Sequence, residues 1–165
     1  MFAEAELVFE LGHDLPEQAH PYTRSDLCAA LKGVYAGIEI VRSRFENSDL
    51  SLTQLVADNS MAHGLVLGNK IADGWDDRFS NLPASLALNG EKPTSGSTAL
   101  VYGNPLDALV WLANWLRANE GETLKREQLV ASGTCTGATE FHPGDTISVC
   151  FDQKEMARVS VEARH

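Results

Sequence analysis

The sequence has few cationic side chains, and this scarcity bears on its partners. Lysine and arginine together number 13 against 23 aspartates and glutamates, so the formal net charge at pH 7 is −10. A field of that sign repels phosphate backbones and anionic membrane surfaces. The composition therefore argues against nucleic acid and against membranes as partners.

Long hydrophobic runs and paired cysteines are also missing. No apolar stretch approaches the roughly 20 residues of a membrane-spanning helix, and the first twelve residues lack the basic region of a secretory signal peptide. The three cysteines are widely spaced and form no C-x-x-C pair, which argues against a disulfide framework or a zinc site. These absences favour a cytoplasmic protein with free thiols.

The rest of the composition is that of one globular domain spanning residues 1–165. Hydrophobic residues make up 44% of the chain and charged residues 22%, without repeats, low-complexity tracts or linkers. Helical spacing predicts a helix from Thr23 to near Gly33–Gly37, and a longer one after Asn104-Pro105. Apolar alternation predicts strands over 3–11, 37–41, 63–68 and 82–88. We expect a strand-rich α+β fold with two principal helices.

Other local patterns predict shorter features. A short helix should begin at Ser48 or Ser51, and the chain should close on a hairpin of strands 145–151 and 157–163. Asn89-Gly90 is typical of a hairpin turn, with 98–102 as the returning strand. Trp111 and Trp115 are four residues apart on the long helix and are predicted to pack.

Two glutamates of the first predicted strand are spaced to share a cation. Glu4 and Glu6 are two residues apart, so their side chains project from one face about 6.6 Å apart. Such carboxylates suit a hard ion such as Mg²⁺, Mn²⁺ or Ca²⁺. A solvated strand face has the same alternation. Spacing alone favours that plainer interpretation.

A third acid lies in a β-branched run. Glu39 stands between Ile38 and Ile40, where an unpaired charge is costly if the strand is central. A cation would neutralise it, and so would a salt bridge to Arg42 or Arg44. Taken by themselves, the residues favour the salt bridge.

Two loop segments carry further polar groups. Asp58 lies in a polar turn, where capping is the ordinary role. Residues 132–137 (SGTCTG) combine two glycines with three hydroxyls. Their backbone N–H groups and Thr134 or Thr136 could hold a carboxylate, or the segment could be a tight strand connection. No histidine pairs with a serine or cysteine in a nucleophile arrangement.

Several sequence blocks, taken in order, resemble the fumarylacetoacetate hydrolase superfamily. They are EAE at 4–6, AGIEIVRSR at 36–44, VADN at 56–59, LVLG at 65–68, YGNPLDALVWLAN at 102–114, ASGTCTG at 131–137 and HPGD at 142–145. The match looks closest to the 2-keto-4-pentenoate hydratase and 4-oxalocrotonate decarboxylase branch. It covers nearly the whole chain and implies a mixed β-sheet roll or barrel of the family's C-terminal type.

The resemblance also implies a set of site residues. It assigns one divalent ion, Mg²⁺ or Mn²⁺, to three acids, and substrate contacts to a further group. The metal ligands are Glu4, Glu6 and Glu39, and the residues bordering the substrate are Thr134 and Gly133. Arg44, as a local positive charge for an anionic substrate, and Asp58 are further substrate-binding candidates. Lys70 resembles a substrate-side lysine of the hydrolase branch, displaced by one residue, and is the one candidate for a catalytic group.

The activity implied is hydration or decarboxylation of 2-hydroxydienoate or 2-keto acids from aromatic meta-cleavage, with the keto acid chelated to the cation. Members of this branch are longer, and the chain is expected to lack their N-terminal portion and its proton-transfer groups. One alternative is a catalytically incompetent homologue that binds metal and keto acid, or that assembles with a longer paralogue. Another is a hydrolase of acylpyruvate C–C bonds. We expect a homo-oligomer or an assembly with such a paralogue.

Overall fold

The computed structural model describes residues 1–46, 49–91 and 93–160. Over these ranges the chain forms three α-helices and nine β-strands. The helices are α1 (Arg24–Ala30), α2 (Leu52–Ala57) and α3 (Pro105–Asn119). The strands are β1 (Phe2–Leu11), β2 (Leu31–Val41), β3 (Ala62–Ala72), β4 (Pro83–Leu88), β5 (Thr94–Ser97), β6 (Leu129–Ala131), β7 (Thr139–Glu140), β8 (Thr146–Phe151) and β9 (Lys154–Ser160).

The strands form two sheets. The first has the order β3-β2-β1-β6, with β7 also paired to β1, and the second has the order β5-β4-β8-β9. Each pair of strands in the described ranges is antiparallel. The predicted strand-rich α+β fold is confirmed. The expected mixed roll or barrel takes the form of two antiparallel sheets that do not close on themselves in this part of the chain.

Both sheets contribute to one core. Alternate residues of β1 point into it, together with residues of β8 and α3. These buried residues are Ala3, Ala5, Leu7, Phe9 and Leu11 of β1, Ile147, Val149 and Phe151 of β8, and Leu106, Leu109 and Ala113 of α3. Because successive side chains of a strand point to opposite faces, the other face of β1 carries Glu4, Glu6, Val8 and Glu10. Packing the core therefore sets a row of carboxylates on the reverse face of the sheet.

The first helix is shorter than predicted. It begins after Thr23, whose side chain forms a capping box with Asp26, and it ends at Ala30. Leu31 already has extended backbone angles and pairs with Leu11 of β1. The expectation of a helix reaching Gly33–Gly37 was wrong because backbone pairing along β1 outweighs the helical spacing of the apolar residues.

The returning strand of the β4 hairpin also lies elsewhere than expected. Asn89 and Gly90 both have positive φ, as a tight hairpin turn requires, but the partner strand is Thr94–Ser97. Residues 98–100 form a 3₁₀ turn, in which Ser97 caps the backbone of Ala99. The buried Thr98 hydroxyl accepts a hydrogen bond from the Leu82 N–H at 2.7 Å. These local bonds divert the chain from the predicted strand.

The long helix α3 begins at the predicted cap, and its two tryptophans lie on its exposed side. Asn104 accepts a hydrogen bond from the Leu106 N–H at 3.0 Å, and Pro105 is the first helical residue. Trp111 and Trp115 are 55% and 41% exposed, and their rings stack on each other with centroids 6.4 Å apart. The two tryptophans therefore pack against each other on the exposed side of the helix, while Leu106, Leu109 and Ala113 of the predicted apolar stripe pack into the core.

Two predicted features extend beyond the described ranges. Helix α2 begins after Ser51, whose side chain caps the Gln54 N–H, while the alternative start at Ser48 lies outside the described residues. The final hairpin pairs β8 with β9, and positions 161–163 of the predicted strand also lie outside. No helix in the described part of the chain has the length and apolar content to cross a membrane.

Candidate metal centre

Three glutamates meet on the reverse face of the first sheet. Pairing of β1 with β2 sets Glu4 directly opposite Glu39, and Glu6 opposite Gly37. Glu6 follows Glu4 by two residues and so projects from the same face. One carboxylate oxygen from each glutamate lies within 4.8 Å of the others. The structure thus brings together all three residues assigned to metal binding from the sequence.

The cluster is partly withdrawn from water, and its charges repel. Glu6 is 1% exposed, while Glu4 and Glu39 are half-buried. Burial is the largest cause that raises the pKa of Glu6, to about 8, and the neighbouring Glu39 and Glu4 add to it. Burial and the charge of Glu39 also raise the pKa of Glu4. Carboxylates this close together retain a proton unless a cation neutralises their charge.

No basic side chain of the described residues forms an ion pair with the cluster. Arg44, one of the predicted salt-bridge partners of Glu39, bonds instead to Asp58 at 2.9 Å. The Gly133 N–H donates to Glu6 Oε2 at 2.8 Å and is the one backbone donor bound to a carboxylate of this cluster in the described ranges. Three carboxylate donors without a cationic partner form the kind of oxygen-rich set that Mg²⁺ and Mn²⁺ accept. The residues therefore fit a divalent ion.

The segment 132–137 lies along β1 between β6 and β7. The Ser132 N–H donates to the Leu7 carbonyl at 2.9 Å, and the Cys135 N–H donates to the Ala5 carbonyl at 2.7 Å. Gly133 has φ +108°, a backbone conformation that residues other than glycine rarely adopt. Of the two interpretations left open by the sequence, these hydrogen bonds show the strand connection, and the carboxylate that its backbone binds is that of Glu6 in the same chain.

A second glycine allows this segment to approach β5. A Cβ placed on Gly96 would lie 2.0 Å from the Cys135 carbonyl oxygen, and the Ser97 N–H donates to that same oxygen at 3.0 Å. The Cys135 thiol itself is buried, and burial followed by the charge of Glu6 raises its pKa to about 12. The cysteine therefore stays a neutral packing group beside the carboxylates. Sequence reasoning missed Gly96, since a single glycine in a strand does not reveal its neighbour.

Thr134 follows Gly133 and is half-buried. Its hydroxyl lies 3.4 Å from the Thr136 N–H, which donates to it. The next hydroxyl, that of Thr136, accepts from the Ala5 N–H at 3.4 Å and so belongs to the strand connection. Thr134 thus places a hydroxyl beside Gly133. Among the described residues, this hydroxyl bonds only within its own turn.

Arg44 and Asp58, two of the substrate-binding candidates, bind each other. Arg44 Nη1 donates to Asp58 Oδ1 at 2.9 Å and to the Asp58 carbonyl at 2.8 Å, and Nη2 donates to the Ala62 carbonyl at 2.9 Å. The Arg44 N–H also reaches Asp58 Oδ2 at 3.1 Å. The guanidinium lowers the pKa of Asp58, which keeps that buried carboxylate charged. The pair joins the end of β2 to the start of β3.

Lys70, the catalytic candidate, lies away from the glutamates. It pairs with Asp73, and its Nζ lies 5.6 Å from the centroid of the Tyr35 ring. Tyr35 in turn donates to Glu10 at 2.6 Å. Tyr35 is four residues along β2 from Glu39, a distance of about 13 Å in a strand. The structure does not bring Lys70 to the carboxylate cluster.

Two cavities flank the carboxylate cluster. The larger, of about 470 Å³, includes Glu4 in its wall and is called here the Phe2 cavity; the smaller, of about 280 Å³, includes Glu39 and is called the His63 cavity. The apolar wall of the Phe2 cavity consists of Phe2, Val41, Phe45, Leu50, Met61 and Ala138. The other residues of the His63 cavity are Ala62, His63, Gly64, Leu65 and Ala131.

Sequence reasoning missed these cavity residues, although part of the signal was present. Phe2 and Val41 lie two residues beyond Glu4 and Glu39, so alternation alone places them on the same face. Met61 has no comparable pattern, because it sits in a 3₁₀ turn and adopts φ +62°. The cavities form because the chain at this turn folds back over the sheet.

Comparisons with known proteins identify relatives along nearly all of the chain. Residues 1–162 match the family described as fumarylacetoacetate (FAA) hydrolase C-terminal. A 4-oxalocrotonate decarboxylase of Pseudomonas sp is 31% identical over 160 residues, which cover 95% of this chain and 58% of that protein. The 2-keto-4-pentenoate hydratase 1 of Dechloromonas aromatica (strain RCB) is 30% identical over 149 residues, covering 90% and 56%.

A solved structure has the same fold. The 4-oxalocrotonate decarboxylase from Pseudomonas putida G7, complexed with magnesium and adipate, superimposes with a TM-score of 0.84 at 26% sequence identity. The match covers 97% of this chain and 60% of that chain. The chain thus spans less than two thirds of the length of these relatives. The match of residues 1–162 to the C-terminal domain of the fumarylacetoacetate hydrolase family shows that the chain belongs to this family.

Proposed function

We propose that the chain is the metal- and substrate-binding part of a divalent-metal-dependent hydratase or decarboxylase. Its substrates would be 2-hydroxydienoate or 2-keto acids of aromatic meta-cleavage. The observation that carries the proposal is the convergence of Glu4, Glu6 and Glu39 without a cationic partner in the described residues. Relatives named 4-oxalocrotonate decarboxylase and 2-keto-4-pentenoate hydratase support the choice of reaction.

Each candidate residue has a part in this proposal. Glu4, Glu6 and Glu39 would hold Mg²⁺ or Mn²⁺, and the Gly133 N–H orients the Glu6 carboxylate. When bound, the cation supplies Lewis acidity to the keto and carboxylate oxygens of a 2-keto acid. The Thr134 hydroxyl would face the substrate from the adjoining turn.

We assign Arg44 and Asp58 a different part from the one expected of them. Their mutual hydrogen bonds hold the segment that carries Ser43, Phe45 and Met61 against the Phe2 cavity. We therefore place them as positioning residues of the cavity wall. The substrate carboxylate would be held by the cation and by Thr134.

Ligand binding tests the metal-dependent site. Isothermal titration calorimetry should show that oxalate or pyruvate binds in the presence of Mg²⁺ and that EDTA abolishes this binding. Glu6→Ala should bind neither ligand, whereas Glu10→Ala, on the same strand face but bonded to Lys32 and Tyr35, should bind both. A Glu6→Ala protein that still binds oxalate in a Mg²⁺-dependent manner would contradict the proposal.

A second candidate function is a catalytically incompetent domain that binds metal and keto acid, alone or assembled with a longer paralogue. The observation that favours it is the position of Lys70, which is paired with Asp73 and remote from the carboxylates. The loss of dienol absorbance of 2-hydroxypenta-2,4-dienoate separates the two candidates. Turnover above the buffer rate with Mg²⁺, and not with EDTA, supports the enzyme; Mg²⁺-dependent pyruvate binding without turnover supports the second candidate.

A further inference from the structure

The two cavities beside the carboxylate cluster differ in chemistry. Six of the nine residues that line the Phe2 cavity are apolar, and a seventh is Ser43. Among the described residues of this lining, the two charged members, Glu4 and Glu46, are both acidic, and none is a lysine, arginine or histidine. The His63 cavity is smaller and contains an imidazole. A ligand held at the carboxylates would therefore meet an apolar environment on one side and a polar one on the other.

The Phe2 cavity is continuous with the cluster along the strands. Phe2 pairs with Val41, the next pair on the same face after Glu4 and Glu39. Two residues of strand correspond to about 6.6 Å. A 2-keto acid whose oxygens lie at the glutamates can thus extend its carbon chain directly into this cavity. The volume of about 470 Å³ is in the range of small-molecule sites.

We propose that the Phe2 cavity receives the uncharged hydrocarbon tail of the 2-keto acid, so that this chain selects monocarboxylates over dicarboxylates. The inference rests on the proposed function and narrows it to substrates without a second carboxylate, and so to the hydratase rather than the decarboxylase. Methyl and methylene groups gain free energy when they leave water for an apolar wall. A second carboxylate would lose its hydration there without gaining a cationic partner, and it would face Glu46.

A series of keto acids tests this selectivity without relying on turnover. Calorimetric titrations with Mg²⁺ should compare pyruvate, 2-oxobutanoate, 2-oxopentanoate and 2-oxohexanoate, followed by the six-carbon dicarboxylate 2-oxoadipate. We expect affinity to rise about fourfold per added methylene, as for burial of one CH₂ group. We expect 2-oxoadipate to bind at least tenfold more weakly than 2-oxohexanoate, which has the same number of carbons.

A matched pair of variants locates the tail. Ala138 and Ala131 are both exposed, and each lines one of the two cavities. Ala138→Phe should fill the Phe2 cavity and remove the dependence on chain length while pyruvate still binds. Ala131→Phe should narrow the His63 cavity and leave the dependence unchanged. Melting curves of both variants establish that they are folded.

The possible outcomes separate the two levels of inference. Absence of Mg²⁺-dependent pyruvate binding would overturn the proposed function. If pyruvate binds but 2-oxoadipate equals or exceeds 2-oxohexanoate, the tail selectivity is overturned and the proposed function stands. A chain-length dependence abolished by Ala131→Phe instead of Ala138→Phe would place the tail in the His63 cavity and would likewise overturn the inference.

Discussion

Glu6 is the most buried of the three clustered carboxylates, and its ionisation is linked to the stability of the fold. Burial and the neighbouring acids raise its folded pKa to about 8, above the ordinary value of 4.5. A group with a raised folded pKa contributes stability below its unfolded pKa, and this contribution is lost as pH rises through the folded pKa. In EDTA, the free energy of unfolding of the metal-free protein should therefore fall as the pH rises from about 4.5 to about 8.

Glu6→Gln should remove this loss. The amide keeps an acceptor for the Gly133 N–H but carries no charge. In EDTA at pH 8, the free energy of unfolding of the variant should therefore exceed that of the parent protein by about 2 kcal/mol or more. Urea unfolding at pH 5 and pH 8 in EDTA measures the difference. Glu10→Gln is the control, because Lys32 and Tyr35 lower the pKa of Glu10 and removal of its charge should bring no gain. Parent stability that stays constant from pH 5 to pH 8 would contradict this account.

Gly133 connects backbone conformation with the carboxylate cluster. Its φ of +108° suits glycine, while a Cβ would meet only the methyl groups of Val101 at ordinary distances. Gly133→Ala should therefore cost about 1–3 kcal/mol through backbone strain rather than collision. Rotation of its N–H away from Glu6 should also weaken Mg²⁺ binding, by roughly tenfold for one charge-assisted hydrogen bond. Calorimetric titration and urea unfolding measure the two effects.

Gly137 provides the matched substitution for this test. It lies in the same segment with φ +77° and has no atom within 4 Å of a Cβ position. Gly137→Ala should lose stability while Mg²⁺ affinity is retained, since this glycine makes no bond to a carboxylate of the cluster. Equal losses of Mg²⁺ affinity in the two variants would show that the Gly133 N–H has no special part.

In the described residues between β2 and β3, an ion pair of Arg44 with Asp58 joins the end of one strand to the start of the other. Arg44 makes three side-chain hydrogen bonds, to Asp58 and to the Ala62 carbonyl, and Asp58 is 2% exposed. Arg44→Met would leave the Asp58 carboxylate buried without its partner. Because the guanidinium is half-exposed, we expect a moderate loss of stability of about 1–3 kcal/mol. Hydrogen exchange should increase between positions 43 and 62, whereas exchange along β1 should not.

Other ion pairs of the chain give the contrast for this element. Arg24 and Asp107 join α1 to α3, and both side chains are more exposed than that of Asp58. Arg24→Met should change the free energy of unfolding much less than Arg44→Met does, because exposed ion pairs contribute little. The double variant Arg44→Met/Asp58→Asn should recover part of the loss, since it removes the buried charge as well as its partner. An Arg44→Met protein as stable as Arg24→Met would refute the assigned role.

For the whole molecule, a bound cation should act as a stabilising ligand. At a Mg²⁺ concentration a hundredfold above Kd, linkage stabilises the folded state by about 2.7 kcal/mol. For a chain of this size, that corresponds to a rise in Tm of about 5–10 °C. Calorimetric melting in Mg²⁺ and in EDTA measures it.

The net charge of −10 requires a control for that experiment, because any salt screens repulsion between the excess acids. KCl at matched ionic strength should raise Tm by much less than Mg²⁺ does. Glu6→Gln should respond to Mg²⁺ and to KCl equally. A Tm of the parent protein that rises equally in the two salts would exclude a specific cation site.

The sequence predicted part of the architecture, and the wrong predictions have a common cause. Alternation identified β1 and β4, and the Asn104-Pro105 cap identified the start of α3, because each signal is local. The extent of α1 and the partner of β4 were mispredicted, because each depends on hydrogen bonds to residues distant along the chain.

Sequence by itself determined the chemistry available to this protein: three glutamates in two strand patterns, a glycine- and threonine-containing segment, and a resemblance that linked them. Tertiary structure decided which of these groups meet. Register sets Glu4 opposite Glu39, the approach of 132–137 brings the Gly133 N–H to Glu6, and Arg44 is taken by Asp58 rather than by Glu39. The physical reason is that local patterns specify the face of an element, whereas burial and hydrogen bonding between distant segments specify its neighbours.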